Sequence, residues 1–554
     1  MRRPGQRTGH SAVRRCLSDT LIESSGRASY KPLRSPADVR TSSSIARSEA
    51  SIVCRNELRT PIVTPPHLSE EHPEFSATTV EPEAATPAAV ACEPLTTDGV
   101  GGRFASVLSG PIRPAVFWLA LPILGEQILN AAIAWNDTLL AGRISPVATG
   151  AVGFASYVGW LMTMLFGMVS IGATAIVSRA IGAGRPEEAG QATGQAFTLS
   201  VVVGAIGTAF IGLIAPGLAS LLNLRGEAAE IAVQYLRLDS IGFIGASVSF
   251  AMAACLRGEG DTKTPLVVLG AVNIANLVFS WVLTFGIGDW PGIGVAGIAW
   301  GTVIARWMGA IGMVVLLQGR GKAVHLSIHR MRPDRPMILR MVRVGAPASL
   351  DGLLSFSGHF IFMTIVNRVP SEFPTEVIYA AHIVGIRIES LSYLPANAFA
   401  LAASTLVGQN LGARQHDRAR HGANEAVLQT LVIMIAAALL LYFGAESMYR
   451  LLSNEADVWR CGVPALRALA FFQVVLGPLI VYIGALRGAG DTRLPILITF
   501  FGMAMVRIPG ALFGGFVLQW GLLGAWLGMF ADLTVRSLLI VWRFRSGKWQ
   551  RIRV

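Results

Sequence analysis

The chain has 554 residues, of which 52% are hydrophobic and only 14% charged, with 59 glycines and a formal net charge of +12. Soluble domains are about a quarter charged, so this deficit over so long a chain excludes a wholly water-soluble protein and makes lipid the main solvent. The positive charge does not indicate nucleic acid, because the basic residues fall between apolar runs and in the two tails. Five cysteines (Cys16, Cys54, Cys92, Cys255 and Cys461) form no close-spaced pair and indicate neither a metal knuckle nor a disulfide framework.

Residues 1–110 form a tail of different composition. "SSGRASYKPLRSPADVRTSSSIARSEAS" is rich in Arg and Ser, and "TPPHLSEEHPEFSATTVEPEAATPAAV" is acidic and rich in Pro and Ala. Neither holds enough apolar surface to offset chain entropy, so both are expected to be disordered. Asp19, Glu23, Asp38 and Glu49 argue against an organelle transit peptide, and no secretory signal peptide is expected.

From Pro114 onward apolar runs recur, each long enough to cross about 30 Å of hydrocarbon at roughly 20 residues per helix. They lie at 114–136, 148–178, 189–216, 228–257, 264–287 and 294–318, then at 338–367, 377–408, 420–443, 458–486, 494–518 and 521–544. Lone segments in lipid must satisfy their own backbone hydrogen bonds, so all twelve are read as helices and the fold as an all-α polytopic membrane protein. One alternate set of loops holds Arg185, Lys263, residues 319–335, "ARQHDRAR" (413–420), Arg493 and the basic tail 546–554. The other set holds few basic residues, among them Arg143, Arg225, Arg368 and Arg450. The excess places both termini and the connection 319–337 in the cytoplasm, and the protein in a cell (inner) membrane.

The sequence is internally duplicated. "CLRGEGDTKTP" begins at Cys255 and "ALRGAGDTRLP" at Ala485, 230 positions on, and "AIGAGRPEEA" (180–189) matches "NLGARQHDRA" (410–419) at the same offset. Pro122 and Glu126 correspond to Pro347 and Asp351. An even number of helices per repeat makes the halves parallel: an N-lobe over 111–318 and a C-lobe over 338–545, facing each other across a central cleft. In each "LRGxGDT" copy the Leu-Arg-Gly is expected to stop one helix, and the Asp-Thr to cap the next, with Pro265 or Pro495 in its first turn. A phosphate loop would need Gly-Lys-Ser/Thr feeding a helix, which is absent.

On "LRGEGDTKTP", "LRGAGDTRLP", "WNDTLLAGR" and "AAHIVGIRIESLSYLPANAFALAASTLVGQNLGA" (380–413), the chain resembles the MATE (multidrug and toxic compound extrusion) transporters, in the branch with DNA-damage-inducible-F-like proteins. The resemblance covers about 110–545 and implies a two-lobed, twelve-helix antiporter. Such a protein would export organic, often cationic and amphipathic, compounds in exchange for H⁺ or Na⁺. It also implies a cation site at Asp137, together with Asn276 of span five and Thr302 of span six. Ser280 stands where archaeal-type relatives carry a second Asp, and Ser355 where relatives of the sodium-dependent pumps carry a Glu. A lone carboxylate in an apolar setting favours protons, whereas two carboxylates better offset the dehydration of Na⁺, so H⁺ is the expected coupling ion.

By sequence alone Asp137 closes the first span, and ionisable groups at bilayer depth mark ion or substrate paths. Glu126, Asp351, Arg387 and Glu389 are second-lobe or cleft candidates on this ground, with Asp351–Arg387 and Glu126–Arg387 both open as pairs. Glu389 reads equally well as a buried hydrogen-bonding strut. Pro122 removes a helical hydrogen bond and is the candidate hinge. Neither an enzyme activity nor a bound cofactor is expected; the partners are the bilayer and small organic substrates, with no nucleic acid and a monomeric state. Two other readings carry less support. A lipid-linked precursor flippase would want a strongly cationic cavity, and a polytopic membrane transferase would want a His/Asp or paired-carboxylate site near one membrane face.

Overall fold

The computed structural model describes residues 108–221, 224–318, 323–552 and 554. The expectations for the tail before Leu108 lie outside the described residues.

The described chain is helical almost throughout. The first half comprises α1 (Ile112–Ile144), α2 (Pro146–Gly182), α3 (Pro186–Leu221), α4 (Glu227–Ile241), α5 (Phe243–Glu259), α6 (Lys263–Phe285) and α7 (Val295–Gln318). The second comprises α8 (Arg335–Val366), α9 (Thr375–Gly412), α10 (His416–Leu452), α11 (Ala456–Gly488), α12 (Arg493–Phe501), α13 (Ile508–Leu512) and α14 (Gly521–Arg545). α12 and α13 are joined and extended by π turns over Gly502–Arg507 and Phe513–Val517 into one span, Arg493–Val517. Among the described residues eleven helices are each long and apolar enough to cross a membrane, and α4 with α5, bent by 43°, passes the same test as a pair, for up to twelve spans. The protein is an all-α, two-lobed membrane protein.

Sequence punctuation explains most boundaries. Ser145 is extended, its hydroxyl accepts from the Ala148 N–H at 3.0 Å, and Pro146 opens α2. This is where α1 stops, eight residues later than its apolar run predicts. The polar stretch at Asn136 and Asp137 does not end the helix, because these side chains bond across to other helices rather than to their own backbone. In the duplicated motif α11 ends at the first glycine, Gly488, as expected, whereas α5 runs one residue past it to Glu259, and neither first glycine is left-handed. The left-handed turn is made by the second one, Gly260 at φ 100° and Gly490 at φ 80°. Asp261 and Asp491 then donate their main-chain N–H to the carbonyls of Leu256 and Leu486, at 2.9 and 2.8 Å. Gly258 and Gly488 serve close packing instead: a Cβ would press on Val177 in one copy and on the main chain of Ser404 in the other.

Each lobe has its own apolar core, and the cores exchange their first helices. In α1, Val116, Leu119, Ala120 and Ile123 pack into the second-lobe core, while Leu140 and Ala141 pack into the first. Reciprocally, Met337 and Met341 of α8 join the first-lobe core, and Phe362 and Val366 join the second. Glu126 and Asp351 lie in the two crossing stretches.

The lobes meet along α2, α8 and α9. Gly172 abuts the Met341 main chain and Gly345 abuts that of Met168; toward the basic face Gly182 meets Gln409 and Gly412 meets Arg179. Trp160 and Phe356, edge to face at 4.9 Å, lie farther along the same seam. Small residues let the backbones approach without hydrophobic drive, as membrane helices require. The lobes are therefore closed on each other at the end that carries the basic loops.

The helix order places Glu455, an exposed residue between α10 and α11, on the face opposite the basic loops. A cysteine at Glu455 is expected to react with a membrane-impermeant maleimide added outside intact cells. Labelling only after the membrane is opened would reverse the topology.

Candidate functional site

A hairpin of α6 and α7 builds the first-lobe polar cluster. Along α7, Gly297, Gly301, Ala305 and Gly309 recur every fourth residue on one face. A Cβ at Gly301 would overlap Ser280, and one at Gly297 would overlap the Leu283 main chain, so the two helices touch backbone to backbone here. Ser280 and Thr302 are thereby held side by side, both buried.

α1 completes the cluster with Asn136 and Asp137. Asp137 is 8% exposed, and its Oδ2 accepts from the Thr302 hydroxyl at 3.1 Å. The Asn276 amide donates to Thr302 Oγ1 at 2.9 Å and is 3.3 Å from Ser280 Oγ, while its own Oδ1 accepts from Asn136 at 3.3 Å. Asp137 Oδ1 is buried with no hydrogen-bond partner. The structure thus brings together Asp137, Asn276, Ser280 and Thr302, and adds Asn136. Next to this cluster, at the break between α4 and α5, the Asp239 carbonyl accepts from the Gly242 N–H at 3.0 Å and from Arg306 at 3.3 Å. Arg306 also holds the Asp239 carboxylate at 2.8 Å. Among the described residues Asp137 itself has no ion-pair partner, and no group of three or more His, Cys, Asp or Glu could hold a metal ion.

The remaining buried acids are mostly neutralised. Arg257 donates to both Glu126 oxygens at 2.6 and 2.9 Å, and Arg487 donates to Asp351 at 3.0 Å. These are the arginines of the two "LRGxGDT" copies, each bonded to the acid that follows its own half's proline. Both arginines also line a pocket of about 300 Å³ between the lobes. Arg387, a candidate partner for either acid by sequence, is exposed and forms neither pair. In the second lobe, Asp532 is fully buried and accepts from Arg507 at 2.9 Å and Arg536 at 2.8 Å, in space left by Gly502. Glu389 is buried and accepts from the Tyr393 hydroxyl at 2.8 Å, with no ion-pair partner among the described residues. His382, fully buried, accepts from the Trp526 indole at 3.1 Å and stacks on His359 at 6.0 Å.

Sequence reasoning missed Asn136, the Asp239–Arg306 brace and both repeat-specific ion pairs. The last had a readable signal, because motif arginine and post-proline acid are each duplicated, and partners that are duplicated together point to one contact made twice.

The MatE family model matches this chain over residues 122–282 and 347–513. The chain belongs to the MatE family. A probable multidrug resistance protein NorM of Thermotoga maritima is 30% identical over 79% of this chain and 94% of its own length. Multidrug resistance protein PmpM of Pseudomonas aeruginosa is 26% identical over 78% of this chain and 91% of its own. Among solved structures, an outward-facing multidrug resistance MATE family transporter of the MOP superfamily superposes with a TM-score of 0.74. It is 21% identical and covers 82% of this chain and 99% of its own. A MOP superfamily transporter from Pyrococcus furiosus matches with the same TM-score at 21% identity, over 81% and 98% of the two chains. As a MatE protein, the chain is a membrane transporter of a multidrug efflux family. Within that frame the polar cluster of α1, α6 and α7 is its candidate ion site, and Arg257 and Arg487, the partners of Glu126 and Asp351, line the same pocket between the lobes.

The two repeat-specific ion pairs differ in exposure. Arg257 and Glu126 are 6% and 3% exposed, Arg487 and Asp351 30% and 7%. Removing either arginine strands a buried carboxylate, at a cost of about 3–5 kcal/mol where the pair is fully enclosed and less where water reaches it, as it does beside the part-exposed Arg487. Arg257→Ala should therefore unfold at much lower denaturant in detergent than Arg487→Ala. Equal losses from the two variants would contradict this ranking.

Proposed function

We propose that the chain exports organic, often cationic or amphipathic, compounds in exchange for H⁺, which is loaded and released at Asp137 as the lobes alternate access. The observation that carries the reading is the bonding of Asp137: one oxygen is satisfied by Thr302, while the other is buried without a donor and without a counter-cation. An unpaired charge in that position carries a heavy desolvation penalty, and a proton on Oδ1 removes it.

The rest of the cluster suits a proton better than Na⁺. Asn276 turns its N–H groups, not its carbonyl oxygen, toward Thr302 and Ser280, and its carbonyl is taken by Asn136. Ser280 brings a hydroxyl and no charge, and Gly301 packs so close to it that the site has no slack. Oxygen lone pairs for a metal cation are thus few, and one carboxylate has to offset its dehydration alone.

In this cycle Asp137 is neutral while loaded. Its deprotonation leaves a buried monoanion in the first lobe, which a cationic compound entering the cleft helps to offset, so binding of one ligand favours release of the other. Pro122, where α1 leaves the second-lobe core, is the point at which α1 bends between states. The membrane is the cell (inner) membrane, with both ends of the chain on the cytoplasmic side.

Proteoliposomes loaded with a fluorescent cationic dye test the coupling. Wild-type exchange is expected to follow an imposed pH gradient without Na⁺. Asp137→Asn, a mimic of the protonated form, should fold normally yet lose gradient-driven exchange. Transport that persists on a Na⁺ gradient with no pH gradient, and stops without Na⁺, would replace H⁺ by Na⁺.

A further inference from the structure

At the basic face the end of the chain folds back over the seam between the lobes. After α14 a 3-10 turn, Lys548–Arg551, buries Trp549 completely against Phe544, with ring centroids 4.8 Å apart. The Trp549 indole donates to the Phe544 carbonyl at 2.7 Å. From this anchor the chain runs across the interface. Arg179, near the end of α2, donates to the Ile552 carbonyl at 2.7 Å and to the Ala489 carbonyl, just past α11, at 3.1 Å. Arg340 of α8 donates to the Val554 main-chain oxygen at 3.0 Å.

Beneath lies a crevice of about 640 Å³. Five arginines line it, Arg179, Arg185, Arg340, Arg414 and Arg551, with one acidic side chain, that of Glu188. Glu188 is already shared by Arg185 at 2.6 Å and Arg340 at 3.0 Å. Among the described residues Arg179, Arg414 and Arg551 are thus left without a carboxylate, and like charges gathered in a cleft repel one another and concentrate anions.

The backbone at Arg414 is a second, independent pointer. It takes φ 59°, a left-handed conformation unfavourable for any residue with a Cβ. Its counterpart 230 positions earlier is Gly184, in the same turn at φ 67°. One half of the molecule makes this turn with glycine; the other makes it with a strained arginine that lines the crevice. Strain of this kind collects at sites of function.

We propose that the crevice is an anion site for a phosphate group, supplied either by a free phosphate compound or by the headgroup of an anionic phospholipid at that membrane face. Guanidinium groups match phosphate oxygens bidentately, and the site draws Arg179, Arg185 and Arg340, whose stretch of α8 packs into the first-lobe core, together with Arg414 and Arg551 of the second lobe. It is complete only while the lobes are closed here, so occupancy holds this face shut and slows its reopening. The site is separate from the Asp137 cluster and does not depend on the ion carried there.

The test is thermal unfolding of the full chain with pyrophosphate, at constant ionic strength in neutral detergent. A parallel series uses nanodiscs of neutral lipid with and without phosphatidylglycerol. Wild-type protein is expected to gain stability from at least one of these. Arg414→Gly, which relieves the strained turn, should be at least as stable without anion yet require roughly tenfold more of it for the same gain. Stabilisation by pyrophosphate identifies a free phosphate compound as a ligand, and stabilisation by phosphatidylglycerol alone identifies a headgroup. No gain from either, or an undiminished gain in Arg414→Gly, would overturn the site.

Discussion

A charge carried into hydrocarbon has to meet an opposite charge or lose its own, and this constraint organises the molecule. Glu126 meets Arg257, Asp351 meets Arg487, Asp239 meets Arg306, and Asp532 meets Arg507 and Arg536. The first three tie helices distant in sequence, the last joins neighbouring spans, and each occupies a place where a helix bends, crosses between cores or passes a glycine. Asp137 and Glu389 are buried acids outside these pairs, each held by a hydroxyl instead. Their exception is informative. A carboxylate with no ion-pair partner is free to change its charge, which a structural pair cannot do without breaking the fold.

The second constraint is backbone proximity. In lipid no hydrophobic force drives helices together, so closeness is set by small residues. The seam of Gly172, Gly345, Gly182 and Gly412 lets α2 lie directly on α8 and α9, and Gly301 does the same for α6 and α7 within the first lobe. The two uses differ in consequence. Contact inside the lobe fixes the geometry around Asp137 and Thr302, while contact between lobes brings glycines onto the facing main chain. Such a seam can part and reform as two rigid bodies rock, and the exchange of α1 and α8 between the cores links that motion to Glu126 and Asp351.

Much of this was legible in the sequence. The spans, the twofold duplication and the basic loops follow from apolar length, a repeated offset and charge placement, all local properties. The grouping of Asp137 with Asn276 and Thr302 came from family resemblance, since no spacing rule joins residue 137 to residue 302. What escaped was tertiary. The end of α1 was set too early because Asn136 and Asp137 look like helix-stopping residues until their partners on α6 and α7 are seen. The left-handed turn of "LRGxGDT" falls at Gly260 and Gly490 rather than at the first glycine, while Gly258 and Gly488 answer to neighbours on other helices. Arg387 looked like a partner for Glu126 or Asp351 only by charge, and its face of α9 turns elsewhere.

The account rests on Asp137 changing its protonation in step with substrate. The most direct measurement is proton release on binding, followed with a pH indicator in weakly buffered detergent solution as a cationic substrate is added. The account predicts that wild-type protein releases a proton for each substrate bound, and that Asp137→Asn binds substrate without release. Binding without release in the wild type, or equal release from Asp137→Asn, would contradict it.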